Sequence, residues 1–326
     1  CTWALLLAYV SVAAFEAVAL PTALSYLAPG IRQFPLWTIG GWQVYATEIA
    51  IGVVAAFVIT LINLLGVRLA AAVQAAVTVV ILLAGVLLAT GALFSPLQSV
   101  ELPGFVDGTS GMLGVLVMVP MMFVGFDVIP QSAGEIDLPL RMIGVLLVAA
   151  VLMAIAWYVL VIGAVAFTLD SDSLSRSSLA TADAGAMGWG SSVAGKFVVL
   201  AGVAGILSSW NAFVVGGSRV LYALAHSGML PPLFARLHQR HRTPYAAVLL
   251  IGVLAAIEPF FGRTTMVWFV DAGSFAVVIA YLLVSVSFLV LRRREPDMPR
   301  PYRVRGGKVV GMISVALCIL LALLYL

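Results

Sequence analysis

Apolar residues dominate this chain in runs of about 20, separated by short polar stretches, from one end to the other. The runs are residues 1–21, 45–64, 69–94, 111–133, 141–168, 193–222, 244–260, 265–291 and 308–326. A helix of about 20 residues covers about 30 Å of hydrocarbon, so the pattern predicts nine membrane-crossing helices in one all-α unit, residues 1–326. One run is unlike the others. Between Gly111 and Arg141 the apolar pattern carries Pro120, Gly125, Asp127 and Pro130 near its middle. Proline removes a backbone donor, and in lipid each freed polar group costs several kcal/mol unless protein or a water-filled cavity satisfies it. The spacing therefore predicts a helix interrupted between Pro120 and Pro130, beside a site rather than against lipid.

Composition sharpens this picture. The 326 residues are 63% hydrophobic and 10% charged, against about 25% charged in an ordinary soluble domain. No stretch is left for a soluble domain, and Cys1 and Cys318 both lie in apolar runs, away from any disulfide or cysteine metal pattern. Cys1 opens inside an apolar run and 320–326 close without polar flanks, so the chain reads as a fragment of a longer protein.

Charge then sets orientation. Placing the connections on alternate sides puts Arg68, Arg141, Arg219, Arg236, Arg240, Arg242, Arg292, Arg293, Arg294, Arg300, Arg303, Arg305 and Lys308 on one side. Only Arg32, Arg176, Lys196 and Arg263 fall on the other, and the rule that basic loops stay inside assigns the Arg-rich side to the cytoplasm of an inner membrane. The net charge of +3 is explained by that bias, and nucleic acid binding is not indicated. Residues 169–192, rich in Ser, Gly, Ala and Asp, read as a solvated external loop. Residues 225–243 read as a short helical hairpin, and 292–308, with three Arg in a row and Pro296, Pro299 and Pro301, as an extended loop near anionic headgroups.

Three stretches carry a family resemblance. They are Asn63-Leu-Leu-Gly-Val-Arg68; Phe123-Val-Gly-Phe-Asp127 through Gly134-Glu135 and Pro139-Leu-Arg141; and Ser218-Arg219-Val-Leu-Tyr-Ala-Leu224 with Gly228-Met-Leu-Pro231 and Thr243-Pro244. In this order the chain resembles the amino acid, polyamine and organocation permease superfamily, with wording in the fourth span similar to the cationic amino acid transporters. The resemblance implies an inverted-repeat, LeuT-like transporter fold. Residues 1–94 would be the remainder of the first repeat, 111–291 the second repeat, and 308–326 an additional helix. It implies a secondary transporter of an amino acid or related organic amine, with no cofactor; the alternatives are an exchanger or facilitator without ion coupling, or a polyamine permease. The pattern departs at Gly134-Glu135-Ile136-Asp137-Leu138-Pro139, and Ile81 stands where proton-coupled relatives commonly carry a Lys.

The candidate substrate contacts are Met121, Met122, Phe123, Val124, Gly125, Phe126 and Asp127 at the break, with Asn211 in the sixth span. By resemblance, Met121 or Phe123 gates the pocket. Asp127 reads first as a cap for the restarting helix and second as a substrate or proton contact. Met and Phe more often pack than recognise a ligand, and Ser208, Ser209 and Asn211 can simply bond across helices. In sodium-coupled transporters of this fold, adjacent hydroxyls on the equivalent helix help bind the ion, so Ser208 and Ser209 form a candidate sodium site; a proton is the other coupling ion. Glu16, one turn before Pro21, either faces the path or lies at the interface. Glu48, Glu135, Asp137 and Arg141 read as interfacial charges, and His226, His238 and His241 as loop residues too irregularly spaced to hold a metal. No nucleophile elbow or His-Glu-x-x-His helix points to an enzyme.

Overall fold

The computed structural model describes residues 2–95, 108–131 and 139–325, with backbone alone for 67–71. Cys1, Gly134, Glu135 and Asp137 lie outside the described residues, as does the side chain of Arg68. Every apolar run becomes helical. The long helices are α1 Thr2–Leu27, α2 Ala46–Leu65 and α3 Val67–Phe94; α4 Gly108–Met122 and the single turn α5 Val128–Gln131 share the fourth run. Then follow α6 Leu140–Thr168, α7 Ser171–Arg176, α8 Ala180–Gly188, α9 Ser192–His226, α10 Tyr245–Ile257, α11 Gly262–Arg294 and α12 Gly307–Leu323. Among the described residues six helices are long and apolar enough to cross a membrane unaided, and three apolar ones are shorter: Gly108–Met122, Tyr245–Phe260 and Gly307–Leu323.

Helix α1 is the centre of the molecule. Tyr9, Ala8, Ala13 and Ala17 are fully buried, and its small residues let α9, α11, α2 and α10 pack closely around it. The core continues through Trp210, Val214 and Leu221 of α9 into Val248 and Ile251 of α10. Helix α6 does the opposite and shows large apolar side chains outward, with Leu152, Met153, Val159 and Ile162 all exposed. Such a surface is stable only in hydrocarbon, and it marks a multi-pass membrane protein.

Three connections differ from the sequence reading. Residues 169–192 hold α7 and α8, and α8 lies on α9 with Ala182, Ala184 and Gly185 buried. Its apolar face is made of Ala and Gly, too small to produce a readable hydrophobic period. Asp183 fastens it, accepting from Tyr26 at 2.6 Å and from Ser177. Residues 225–243 form no helical hairpin; Pro231 and Pro232 limit them to one 3-10 turn, Pro232–Ala235. Between α1 and α2 stands an antiparallel hairpin, β1 Pro35–Ile39 and β2 Trp42–Tyr45, turned at Gly40-Gly41 and tied to the start of α11 by Trp37 Nε1 donating to the Phe260 carbonyl at 2.9 Å.

Candidate functional site

Helix α4 ends at Met122 and the chain restarts as helix at Val128, so the interruption falls inside the segment expected from Pro120, Gly125 and Pro130. Gly125 has φ +127°, a backbone conformation that residues with a Cβ rarely adopt and glycine reaches at little cost. Three-residue turns take over from the helical ladder: Val124 N–H donates to Met121 O at 3.3 Å, Val128 to Gly125 O at 3.1 Å, and Ile129 to Phe126 O at 3.2 Å. Side chains from other helices satisfy further groups. Tyr158 of α6 donates to the Met122 carbonyl at 2.6 Å.

Asp127 does not cap the restarting helix. Its Oδ1 accepts from the Gly125 N–H at 2.9 Å, two residues back, and its Oδ2 accepts from the Tyr9 hydroxyl on α1. Gln131 Nε2 donates to that same hydroxyl at 2.5 Å. The carboxylate thus holds the unwound turn closed and pins it to the most buried helix of the molecule. The cap reading failed because sequence distance offers the nearest N–H groups, whereas the glycine turn folds Gly125 N–H back onto the acid.

On the other side of the break lies a cavity of about 560 Å³. Its wall is made of short helical repeats that meet: Val12, Phe15 and Glu16 of α1; Met118, Met121 and Met122 of α4 with Val124; Tyr158; Ser209 and Phe213 of α9; and Met266, Val267 and Val270 of α11. Each group is spaced to share one helix face. The surface is almost wholly apolar, with one acid. Glu16 is 6% exposed; its Oε1 accepts from Ser209 Oγ at 2.5 Å, and its Oε2 has no partner among the described residues. The serine engages one carboxyl oxygen, while the second is left for another donor.

The candidates read from sequence divide accordingly. Met121, Met122, Val124 and Ser209 line the cavity. Gly125 is beside it, with Phe213 Cζ 3.5 Å from where a Cβ would stand. Phe123 packs on Tyr158 and Phe126 on Tyr281, at ring separations of 5.4 and 5.6 Å, and neither is on the wall. Asn211 accepts from Asn63 of α2 at 2.8 Å, also away from the cavity. Ser209 is on the wall and Ser208 is not. Tyr9, Phe15, Met118, Tyr158 and Phe213 were not singled out by sequence; Met121 and Met122 carried the readable signal for this wall.

The amino acid permease family model matches residues 1–326. Over 222 residues the chain is 28% identical to the branched-chain amino acid permease BcaP of Bacillus subtilis, covering 66% of this chain and 46% of that protein. It is 28% identical over 222 residues to the methylthioribose transporter of the same organism, covering 64% and 45%. With the vacuolar cationic amino acid transporter 4 of Arabidopsis thaliana it shares 28% over 313 residues, 90% of this chain and 50% of that one. The chain spans about half the length of these relatives or less.

Proposed function

Because the chain belongs to the amino acid permease family, we propose that it carries an amino acid or related organic amine across the cell membrane by alternating access, through the cavity beside the interrupted helix. The observation that carries this reading is the meeting of an unwound backbone at Gly125 with a largely apolar cavity wall. Unwound backbone offers donors and acceptors to the charged groups common to all amino acids, and the wall sorts the side chains.

The wall favours an apolar substrate side chain. Met118, Met121, Met122, Phe213 and Val270 give a flexible thioether and hydrocarbon lining, which suits branched or thioether side chains of varied outline. A second reading, a cationic side chain paired with the free oxygen of Glu16, is favoured by that one acid. The names of the relatives span both classes.

Coupling is assigned to a proton at Glu16 in preference to sodium at Ser208 and Ser209. Ser209 already donates to Glu16, Ser208 is off the wall, and Ile81 packs near Gly205, one turn from Ser209, with no ammonium group to occupy the region. The distribution of basic residues supports a cytoplasmic position for the Arg-rich connections.

Uptake of labelled leucine and arginine into proteoliposomes holding the full chain tests these points. Leucine is taken up under an imposed pH gradient, arginine weakly, and replacing sodium by choline changes nothing. Uptake of neither, or uptake driven by sodium alone, overturns the respective assignment. A single Cys placed within 169–192 is labelled from the outside; labelling only from the cytoplasm reverses the orientation.

A further inference from the structure

Far from the cavity, the end of α11 and the start of α12 enclose a space of about 240 Å³ lined by Arg292, Pro296, Arg300, Arg303, Val304 and Lys308. Four of these side chains are cationic and none is acidic. The acids of the same connection, Glu295 and Asp297, are exposed and do not line it, and the one ion pair among the described residues joins Arg32 to Glu48 elsewhere.

Two of the four charges are held in place by their own connection. Arg300 grips its own connection, donating to the carbonyls of Pro296, Met298 and Glu295 at 3.0, 2.9 and 2.6 Å. Arg292 donates to Val304 O at 3.1 Å and lies over the Phe288 ring at 4.8 Å, while its Nε is buried without a partner. Arg303 and Lys308 make no hydrogen bond among the described residues. Four cations around a small space, two of them fixed, repel one another unless an anion lies between them. Directly alongside, Leu291, Val309 and Met312 expose apolar side chains from the same two helix ends.

We propose that this pocket binds the phosphate of an anionic membrane phospholipid, with its acyl chains along the exposed apolar faces of α11 and α12. Both halves of that ligand are matched: a phosphodiester by the guanidinium and ammonium groups, and hydrocarbon by the adjoining helix surface. The assignment rests on the reading above only in that the chain crosses a bilayer, and it holds whatever the transported substrate is.

The test titrates the full chain in neutral detergent with phosphatidylglycerol, phosphatidylcholine or inorganic phosphate, following its thermal unfolding and, by native mass spectrometry, retained lipid. Phosphatidylglycerol is retained and raises the unfolding temperature, whereas phosphatidylcholine does so weakly. The double variant Arg303→Gln, Lys308→Gln unfolds like the parent without lipid, since neither side chain is bonded, and binds phosphatidylglycerol about 25-fold more weakly, from about five-fold per basic residue. Arg236→Gln, Arg240→Gln removes the same charge from another connection and leaves affinity unchanged. Equal retention of both lipids, equal weakening in the two double variants, or equal protection by inorganic phosphate each overturns the proposal, the last by identifying a soluble anion as the ligand.

Discussion

Removing one oxygen atom, in Tyr9→Phe, tests how the interrupted helix is held. The ring is fully buried, so the aromatic packing against Phe213, at a centroid distance of 5.6 Å, survives the change. What is lost is the hydroxyl that donates to Asp127 Oδ2 and accepts from Gln131 Nε2. A hydrogen bond to a charged group contributes about 1.5–3 kcal/mol, and a buried amide left unpaired costs about 1–3 kcal/mol. Gln131 meets the second condition, because its Oε1 is already buried without a partner. Terms within one network do not add fully, which sets the expected loss at about 3 kcal/mol. Thermal unfolding in detergent, at 2–4 °C per kcal/mol for somewhat smaller chains, should then fall by roughly 5 °C or more. The pairing itself is isolated by the cycle with Asp127→Asn. Coupling of at least about 1 kcal/mol between the two positions is expected. An unfolding temperature within a degree of the parent, or strictly additive single variants, refutes the claim that Tyr9 anchors the break.

Three further predictions follow from the same geometry. Gly125→Ala lowers stability by about 1–3 kcal/mol through backbone strain rather than crowding, since the added Cβ meets Phe213 only at ordinary contact distance; an unchanged unfolding temperature contradicts the positive φ. Ser209→Ala strips the remaining partner from a buried acid and cuts uptake at least about ten-fold, Ser209→Thr restores it, and Ser208→Ala leaves it unchanged; the opposite order of the two alanine variants shows that the cavity is misassigned. Outside the membrane, Asp170 caps α7 by accepting from Ser173 N–H, and hydrogen bonding from the Ser173 side chain and then its backbone holds its carboxyl below the ordinary range. The depressed value means the cap is intact above the unfolded value and is lost as pH falls through the folded one, so amide exchange in α7 relative to α8 is constant from pH 7 to pH 5 and accelerates below about pH 4; a change centred near neutrality refutes this.

The apolar helices and the interruption were legible because lipid imposes a single rule on backbone polar groups, and Pro120, Gly125 and Pro130 violate it together. Part of the cavity wall was legible for a related reason: Met121, Met122 and Val124 flank the break in sequence and in space. Most of the facing wall was not, Glu16 and Ser209 apart. Phe15, Tyr158, Phe213 and Met266 sit in uninterrupted apolar helices whose facing residues and lipid-facing residues look alike, because a membrane removes the contrast between inside and outside on which helical periodicity depends. Asn211 shows the converse error. A polar residue in an apolar span draws attention, but here Asn63 answers it within the scaffold. The hairpin at Gly40-Gly41 had a local signal in that dipeptide, whereas α8, built on Ala and Gly, had none.

The interruption also bears on how the protein is made. Helix α4 has 15 residues, a length of about 22 Å at 1.5 Å each, short of the roughly 30 Å of hydrocarbon it must help to cross. Left alone in lipid, the segment 108–131 would expose the carbonyl of Met122 and the acid of Asp127, and a translocation channel would release it reluctantly. Its rescue comes from both directions along the chain. Tyr9 has been synthesised and threaded more than a hundred residues earlier, so the hydroxyl that receives Asp127 is already in the bilayer when the segment emerges. Tyr158 arrives only with the next helix. The segment should therefore wait at the channel until α6 follows, and ribosome-bound chains truncated before residue 158 should leave it accessible to aqueous reagents, whereas longer ones seal it into the membrane.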